Sequence, residues 1–162
     1  GKIIFWEGKV IELQGGTLIA VAWAFNEFEG KDMPNHYAYS RDGGKTWSAP
    51  ASTGIQGQTM SVIELKDNRL MVVYRRMDVP GLWLGFVKFK EGNWINENVY
   101  CLWGKHNSKL MYKSGNIVQD FNQLKFGAPH IVSLPDSSYY IVFWCYEEMV
   151  SSIRWFKVAL RN

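Results

Sequence analysis

The chain has 162 residues, 47% of them hydrophobic and 15% aromatic, so it can form a packed domain and is not disordered. Its 18 basic and 15 acidic residues give a net charge of +3, and the basic residues are scattered, so nucleic-acid binding is not expected. No apolar run approaches the roughly 20 residues of a membrane-spanning helix, so no membrane span is expected.

A strand pair with a short polar turn occurs three times along the chain. The first copy joins residues 10–13 to 17–23, the second joins 62–65 to 69–74, and the third joins 131–134 to 139–144. The second run of each copy is almost continuously apolar, which is typical of a strand covered on both faces. A repeat of this kind predicts the blades of a β-propeller.

Further strands complete the predicted blades. Third strands are predicted at residues 36–40, 82–90 and 151–160, and fourth strands from residue 47 and at 99–103. The blades span about 7–55, about 57–104 and about 127–162, with an insertion at about 105–126. The third blade has no outer strand of its own, and residues 1–6 are predicted to be an outer strand that completes a blade. The fold prediction is therefore an all-β propeller unit of three four-stranded blades, half of a six-bladed ring.

Three blades are too few to close a propeller ring, which typically has four to eight. Either the chain is half of a longer protein, or two copies assemble with two-fold symmetry. A lone monomer would leave a long sheet edge unpaired. We therefore predict a homo-oligomer, or a missing half-propeller, as the partner of this chain.

The polar turn after residue 39 has the most specific pattern in the sequence. Its defined positions are Ser40, Asp42, Gly44, Thr46 and Trp47. The pattern resembles the Asp box of sialidase-like (neuraminidase-like, BNR-repeat) β-propellers, a structural turn that joins the two outer strands of a blade. Runs at residues 6–8, 48–50, 57–59, 74–76 and 126–129 also look like sialidase-family sequences and follow in the expected order. The resemblance covers nearly the whole chain.

The candidate site is predicted where first strands begin and second strands end, because these positions lie on one face of a propeller near its axis. Aromatic faces can stack on a sugar ring, and amides and arginines can bind its hydroxyl and carboxylate groups. The predicted substrate-binding residues are Gln58, Trp23, His130 and Trp144. The same face is expected to collect Glu7, Asn26, Thr59 and Glu148.

The resemblance implies an arginine triad for a substrate carboxylate, a tyrosine nucleophile paired with a glutamate, and an aspartate as acid and base. The candidates for these catalytic roles are Arg75, Arg76, Asp78, Tyr146 and Glu147, with Tyr74 as a second tyrosine. None of them lies in a motif that fixes its role. Tyr74 and Trp144 also fit the core between blades, and the arginine pair fits a surface ion pair.

Three functions remain open from the sequence. The first is a sialidase-like exo-glycosidase that acts on an acidic sugar. The second is a non-catalytic glycan-binding propeller, and the third is an architectural half-propeller that functions only on assembly. Cys101 and Cys145 lie in apolar runs without metal-ligand spacing, and the three histidines are far apart in the pattern, so no cofactor or metal is expected. The cellular compartment is undecided.

Overall fold

The computed structural model describes residues 2–104, 110 and 123–160. These residues form eleven β-strands: β1 (Ile3–Glu12), β2 (Leu18–Asn26), β3 (Lys31–Ser40), β4 (Ala51–Gln56), β5 (Met60–Glu64), β6 (Arg69–Arg76), β7 (Gly81–Lys90), β8 (Asn93–Trp103), β9 (Phe126–Ser133), β10 (Tyr139–Glu147) and β11 (Val150–Val158). Most of the predicted insertion at 105–126 lies outside the described residues.

The strands form three antiparallel sheets in which neighbours in sequence are neighbours in space. The first sheet contains β1 to β4 and the second β5 to β8, while the third contains β9 to β11. The innermost strand β5 contacts both of the other innermost strands, β1 and β9, across the sheets, as the inner strands of neighbouring propeller blades do. The predicted all-β propeller architecture with three blades is confirmed. The prediction of four strands per blade holds for the first two blades, and the described part of the third has three.

The second sheet is covered on both faces. One face packs against the first sheet in a core that includes Ile19, Val21, Val62 and Val72. The other face packs against the third sheet in a core that includes Val73, Leu84, Phe126, Ile141 and Phe143. This double burial explains why β6 is an almost unbroken apolar run, since every side chain of its middle part is buried.

The first strand differs from its prediction. Residues 3–6 pair with β2, where Ile3 lies opposite Asn26 and Trp6 opposite Trp23. The expected outer strand at residues 1–6 is therefore, in its described part, the beginning of the innermost strand of the first blade. The pairing register shifts between Trp6 and Lys9, and Glu7 in this bulge has a φ of 50°. The bulge lets one continuous strand cross from one register to the next.

The polar turn between β3 and β4 is held by its own side chains. Asp42 accepts hydrogen bonds from the Thr46 amide at 2.9 Å and the Thr46 hydroxyl at 2.6 Å. The Ser40 hydroxyl donates to Asp42 at 2.8 Å and accepts from the Gly44 amide at 2.9 Å. The Trp47 indole donates to the Gly44 carbonyl at 3.1 Å. All five positions of the predicted motif therefore take part in this turn, which connects the two outer strands of the first blade.

Both cysteines are free thiols. Cys145 is buried in the core between the second and third sheets, and Cys101 is half-buried. Burial raises the pKa of the Cys145 thiol, which favours the uncharged and unreactive form.

Candidate functional site

A chain of hydrogen bonds connects all three blades at the end of the molecule where β6 ends and β5 and β9 begin. We call it the three-blade cluster, and it consists of Trp23, Asp32, Gln58, Arg75 and the carbonyl of Phe126. The Trp23 indole donates to Asp32 at 2.8 Å, and the Gln58 amide donates to the other Asp32 oxygen at 3.0 Å. Gln58 in turn accepts from Nε of Arg75 at 2.8 Å, and Nη1 of Arg75 donates to Phe126 O at 3.4 Å.

Arg75 is the most unusual member of the cluster because its side chain is charged and only 3% exposed. Its Nη2 is buried and has no hydrogen-bond partner within the described residues. Burial lowers the pKa of the guanidinium, while the charges of Glu7 and Asp32 act in the opposite direction. A buried guanidinium nitrogen without an acceptor costs free energy, and an incoming oxygen atom would remove that cost.

The backbone around the cluster leaves room for Arg75 by means of glycine. A Cβ added at Gly127 would lie under 3.0 Å from Nη1 of Arg75. A Cβ at Gly57 would lie 2.8 Å from Cδ2 of Tyr74 and 3.2 Å from the Arg75 carbonyl. The Arg75 backbone also pairs with the segment before β5, since Gln58 N donates to Arg75 O at 2.8 Å. Gly57 therefore lets the segment before β5 lie close to Tyr74 and to the Arg75 backbone. Gly127 lets β9 of the third blade lie close to the Arg75 guanidinium.

Asp32 and Asn35 also belong to this region, although the sequence does not predict them as site residues. Asn35 is fully buried, donates to Gln58 O at 3.2 Å, and has an Oδ1 atom without a partner in the described part of the chain. Both residues lie in β3, which begins at Lys31 rather than at the predicted residue 36. Their only signal in the sequence is that polar residues lie on either side of Pro34, and this pattern by itself predicts a turn.

Two of the catalytic candidates pair with each other on the surface. Arg76 donates to Asp78 from Nε at 3.0 Å and from Nη2 at 2.6 Å, and its guanidinium lies over the Trp83 ring at 4.9 Å. Arg76 lowers the pKa of the Asp78 carboxyl, so this acid stays ionised near neutral pH. The pair is a surface ion pair, the alternative role that the sequence leaves open for an arginine at the end of this strand.

Tyr146 and Glu147 do not face each other. Successive residues of a strand point to opposite faces, and both lie in β10. Glu147 accepts from Arg154 Nε at 2.7 Å and from the Trp103 indole at 3.1 Å, and Arg154 lowers the pKa of its carboxyl. The second tyrosine candidate, Tyr74, is buried, and burial raises the pKa of its phenol to about 12. The described residues therefore do not form an adjacent tyrosine and glutamate pair from these candidates.

The predicted substrate-binding residues separate into two groups. Gln58 and Trp23 both belong to the three-blade cluster, although Trp23 is only 1% exposed and so cannot offer an open face to a sugar. His130 and Trp144 lie on the outer face of the third sheet, close to Val142 of β10. A second bulge in β9 accompanies this placement, because Ala128 has a φ of 48° and the register shifts between Val142 and Trp144.

The remaining residues expected on this face have other roles in the described structure. Asn26 closes its own turn by accepting from the amides of Phe28 and Glu29 at 3.0 and 3.1 Å. Thr59 is buried, and its carbonyl accepts from the Arg75 amide at 3.3 Å. Glu7 and Glu148 are exposed. Glu7 is thus the carboxylate of this group that is both accessible and electrostatically coupled to Arg75.

No group of three or more histidine, cysteine, aspartate or glutamate residues within 2–104, 110 and 123–160 could hold a metal ion. Over the same described ranges, no helix has the length and apolar character that a membrane crossing requires.

Comparison with known proteins shows similarity of fold. No protein-family model matches the sequence, and no curated protein matches it. A protein of unknown function from Dyadobacter fermentans has a TM-score of 0.69 at 20% identity, with 99% of this chain and 39% of that chain covered. Xyloglucan PUL GH43B from Bacteroides ovatus has a TM-score of 0.62 at 14% identity, with 95% and 26% covered. A thermostable family-43 glycoside hydrolase has a TM-score of 0.53 at 14% identity, with 98% and 49% covered.

This chain spans less than half the length of each of the three similar structures. At these identities the likeness establishes the propeller fold of the chain. The resemblance of its sequence to sialidase-like propellers stays a prediction.

Proposed function

We propose that this chain is part of a carbohydrate-directed propeller and that Arg75 anchors the ligand at the three-blade cluster. The observation that carries the proposal is the buried Nη2 of Arg75, which lacks an acceptor within the described residues although all three blades meet around it. Two of the proteins with a similar fold support the sugar as ligand, since one is named for xyloglucan and the other as a glycoside hydrolase.

The ligand group that suits Arg75 is a carboxylate or hydroxyl oxygen of an acidic sugar. A guanidinium presents donors in a fixed fork that fits a carboxylate, and the low exposure of Arg75 strengthens each bond it makes. Gln58 fixes the orientation of the fork by accepting from Nε, so the Nη2 edge is the part of the fork without an acceptor in the described residues. Because this edge is buried, ligand binding requires the side chains that cover it to move aside. In this proposal Gln58 is a positioning residue, and Asp32 orients Gln58 in turn.

Binding without hydrolysis is the function that the contacts favour. A retaining sialidase-like reaction requires a tyrosine next to a glutamate, whereas Tyr146 and Glu147 lie on opposite faces and Glu147 is bound to Arg154. The other scheme of glycoside hydrolysis requires two carboxylates that flank the scissile bond. Asp32 accepts a hydrogen bond at each of its oxygens and is therefore not free for this role.

Exo-glycosidase activity on an acidic sugar is the second candidate, and Glu7 is the residue that favours it. Its carboxylate is exposed, lies in a bulge with a positive φ, and interacts electrostatically with Arg75. Bulges often re-aim a side chain next to an active site. If hydrolysis occurs, Glu7 is the general acid or base that we would replace first.

A comparison of two adjacent arginines tests the proposal. Binding of an acidic and a neutral oligosaccharide is measured by titration calorimetry for the natural chain, Arg75→Met and Arg76→Met. Loss of a hydrogen bond to a charged group costs about 1.5–3 kcal/mol, so Arg75→Met should weaken binding of the acidic sugar by at least about tenfold. Arg76 is paired with Asp78 outside the cluster, so Arg76→Met is the matched control and should bind normally. Equal binding by all three proteins would refute the role of Arg75.

Folding and catalysis need separate readouts in this experiment. Arg75→Lys keeps the charge but not the fork, and far-ultraviolet circular dichroism shows whether each variant retains its sheets. Release of a fluorophore from a sialoside, abolished in Glu7→Gln, would establish the glycosidase. Binding without release would establish the glycan-binding propeller. No binding of any sugar by the folded natural chain would leave the architectural function.

A further inference from the structure

Two buried side-chain atoms lack a hydrogen-bond partner within the described residues, and both belong to side chains that Gln58 holds. One is the donor Nη2 of Arg75, and the other is the acceptor Oδ1 of Asn35. Arg75 is 3% exposed and Asn35 is 0% exposed. A buried polar atom without a partner costs free energy, so such atoms are rare in native proteins. Their common neighbour indicates that the two atoms belong to one site.

Gln58 bridges the two side chains. Its backbone carbonyl accepts from Nδ2 of Asn35 at 3.2 Å, and its side-chain oxygen accepts from Nε of Arg75 at 2.8 Å. The Gln58 amide N–H donates to Arg75 O at 2.8 Å, so the backbones of these two residues are also joined. A single residue therefore links the first blade, through Asn35, to the arginine of the second blade.

The orientation of the Asn35 amide follows from its partner. A carbonyl oxygen only accepts hydrogen bonds, so the amide nitrogen must face Gln58 O, and Oδ1 faces away from it. The Asn35 backbone is fixed as well, since its carbonyl accepts from the Thr53 hydroxyl at 2.7 Å. The acceptor is therefore held in place before any ligand binds, which lowers the entropic cost of binding.

Asn35 reaches this position because strand pairing is irregular around Pro34. Ala22 of β2 lies opposite His36 and Ala24 lies opposite Met33, so Pro34 and Asn35 together face a single residue of β2. The pairing of β3 with β4 shifts at the same point. An extra residue in one strand of a pair is a bulge, and bulges re-aim side chains. The bulge accounts for a buried amide beside the three-blade cluster.

We infer that Asn35 accepts a hydrogen bond from a hydroxyl group of the sugar that Arg75 anchors, and this inference rests on the proposed function. Arg75 has only donors to offer, whereas Oδ1 of Asn35 only accepts, so the ligand must present both an acceptor and a donor. A sugar acid has both, in its carboxylate and its hydroxyl groups. An ionised carboxylate, sulfate or phosphate group by itself only accepts and leaves Asn35 unpaired. Asn35 is thus a specificity-determining residue for a hydroxylated acid.

The ligand reaches the two atoms from the side of Asp32 and Gln58. Both of these side chains are half-buried, so the three-blade cluster reaches the surface there. As with the Nη2 edge of Arg75, the side chains that cover Asn35 must move aside when the ligand binds.

A series of deoxy sugars tests the inference. Binding of the methyl glycosides of glucuronic acid and N-acetylneuraminic acid to the natural chain is measured by titration calorimetry, and the tighter ligand is compared with its monodeoxy analogues. One analogue should bind about tenfold more weakly, because it leaves Oδ1 of Asn35 unpaired. In Asn35→Leu, which has a similar shape but no acceptor, this analogue and the parent glycoside should bind within about twofold of each other.

The ratio of the two affinities separates a direct contact from support of the fold. Asn35→Leu also removes the bond to Gln58 O, and a loss of support would weaken both ligands alike. Thr53→Val is the matched control, since it removes a bond to the Asn35 backbone and leaves Oδ1 in the chain, so it should keep the natural ratio. Circular dichroism shows whether each variant is folded. If Asn35→Leu does not fold, Asn35→Ala is measured in the same way.

The outcomes distinguish this inference from the proposed function. An unchanged ratio in the folded Asn35 variant, or equal binding of every deoxy analogue by the natural chain, would overturn the inference and leave the role of Arg75 intact. Asn35 would then hold an internal water molecule, as buried polar groups often do. If the natural chain binds neither glycoside, or if Arg75→Met binds both normally, the proposed function is refuted and the inference with it.

Discussion

Replacing Gly127 by alanine should destabilise the protein by displacing Arg75. The added methyl group would lie under 3.0 Å from Nη1 of Arg75 and 3.3 Å from its Cζ. Arg75 is buried and held by Gln58 and by the Phe126 carbonyl, so its guanidinium cannot move without breaking these bonds. Gly127 has no positive φ, so alanine adds no backbone strain there and the effect is one of space.

The expected cost follows from the bond that is lost. A hydrogen bond to a charged group contributes about 1.5–3 kcal/mol, and overpacking a buried site costs about 1–3 kcal/mol. We therefore expect Gly127→Ala to lower the free energy of unfolding by about 1.5–3 kcal/mol. In a domain of this size, 1 kcal/mol corresponds to about 2–4 °C in melting temperature.

Urea and thermal unfolding at one fixed protein concentration measure the effect, because association also changes apparent stability. Gly8→Ala is the matched control, since a Cβ there would meet only Val21 O at 3.8 Å, and surface changes of this kind stay within about 0.5 kcal/mol. In an Arg75→Met background, alanine at position 127 should cost at least about 1 kcal/mol less. Equal costs in both backgrounds would refute the argument that Gly127 makes room for Arg75.

Three further predictions concern single side chains. In Asp32→Asn one of the two donors, the Trp23 indole or the Gln58 amide, loses its carboxylate oxygen as acceptor. The free energy of unfolding, measured in urea, should fall by about 1–3 kcal/mol, and tryptophan fluorescence should change. Hydrogen bonds from Thr46 lower the pKa of Asp42 to about 2, so the protein should lose stability as pH falls from about 4 toward 2. Asp42→Asn should abolish this part of the pH dependence of stability, measured by urea unfolding at each pH. Burial raises the pKa of Tyr74 to about 12, so stability should fall as pH rises from about 10 toward 12, and less in Tyr74→Phe. An unchanged pH profile in either variant would contradict the corresponding interpretation.

The sheets and the outer turn could be predicted from the sequence because their signals are local. The apolar runs that became β2, β6 and β10 occur beside polar turns, so their existence as strands could be predicted. The expectation that each is covered on both faces holds within the described residues for β6, whereas β2 and β10 each have one face in a core. The motif from Ser40 to Trp47 depends on bonds within eight residues, so its geometry follows from its own side chains. Gln58 and Arg75 were also predicted as site residues, and the structure brings them into contact.

The missed parts of the site depend on pairing between distant strands. Asp32 lies in a polar stretch near a turn, and only its pairing opposite Phe25 of β2 extends the strand far enough to include it. His130 follows a bulge, so counting alternate residues from the strand start gives the wrong face. In β10 nearly every residue is apolar, and the pattern therefore gives no indication that Phe143 points to the core while Trp144 points away.

The second sheet lies between the other two and is the only sheet of the described residues with both faces in a core. In modular proteins built from stacked units, the inner units are held from two sides, and the terminal ones need a polar capping surface to remain soluble. The ends of this stack have alanines and tryptophans where a cap would have charges. The amide protons of β6 should therefore exchange with solvent most slowly. The cohesion of the end blades depends on whatever completes the stack.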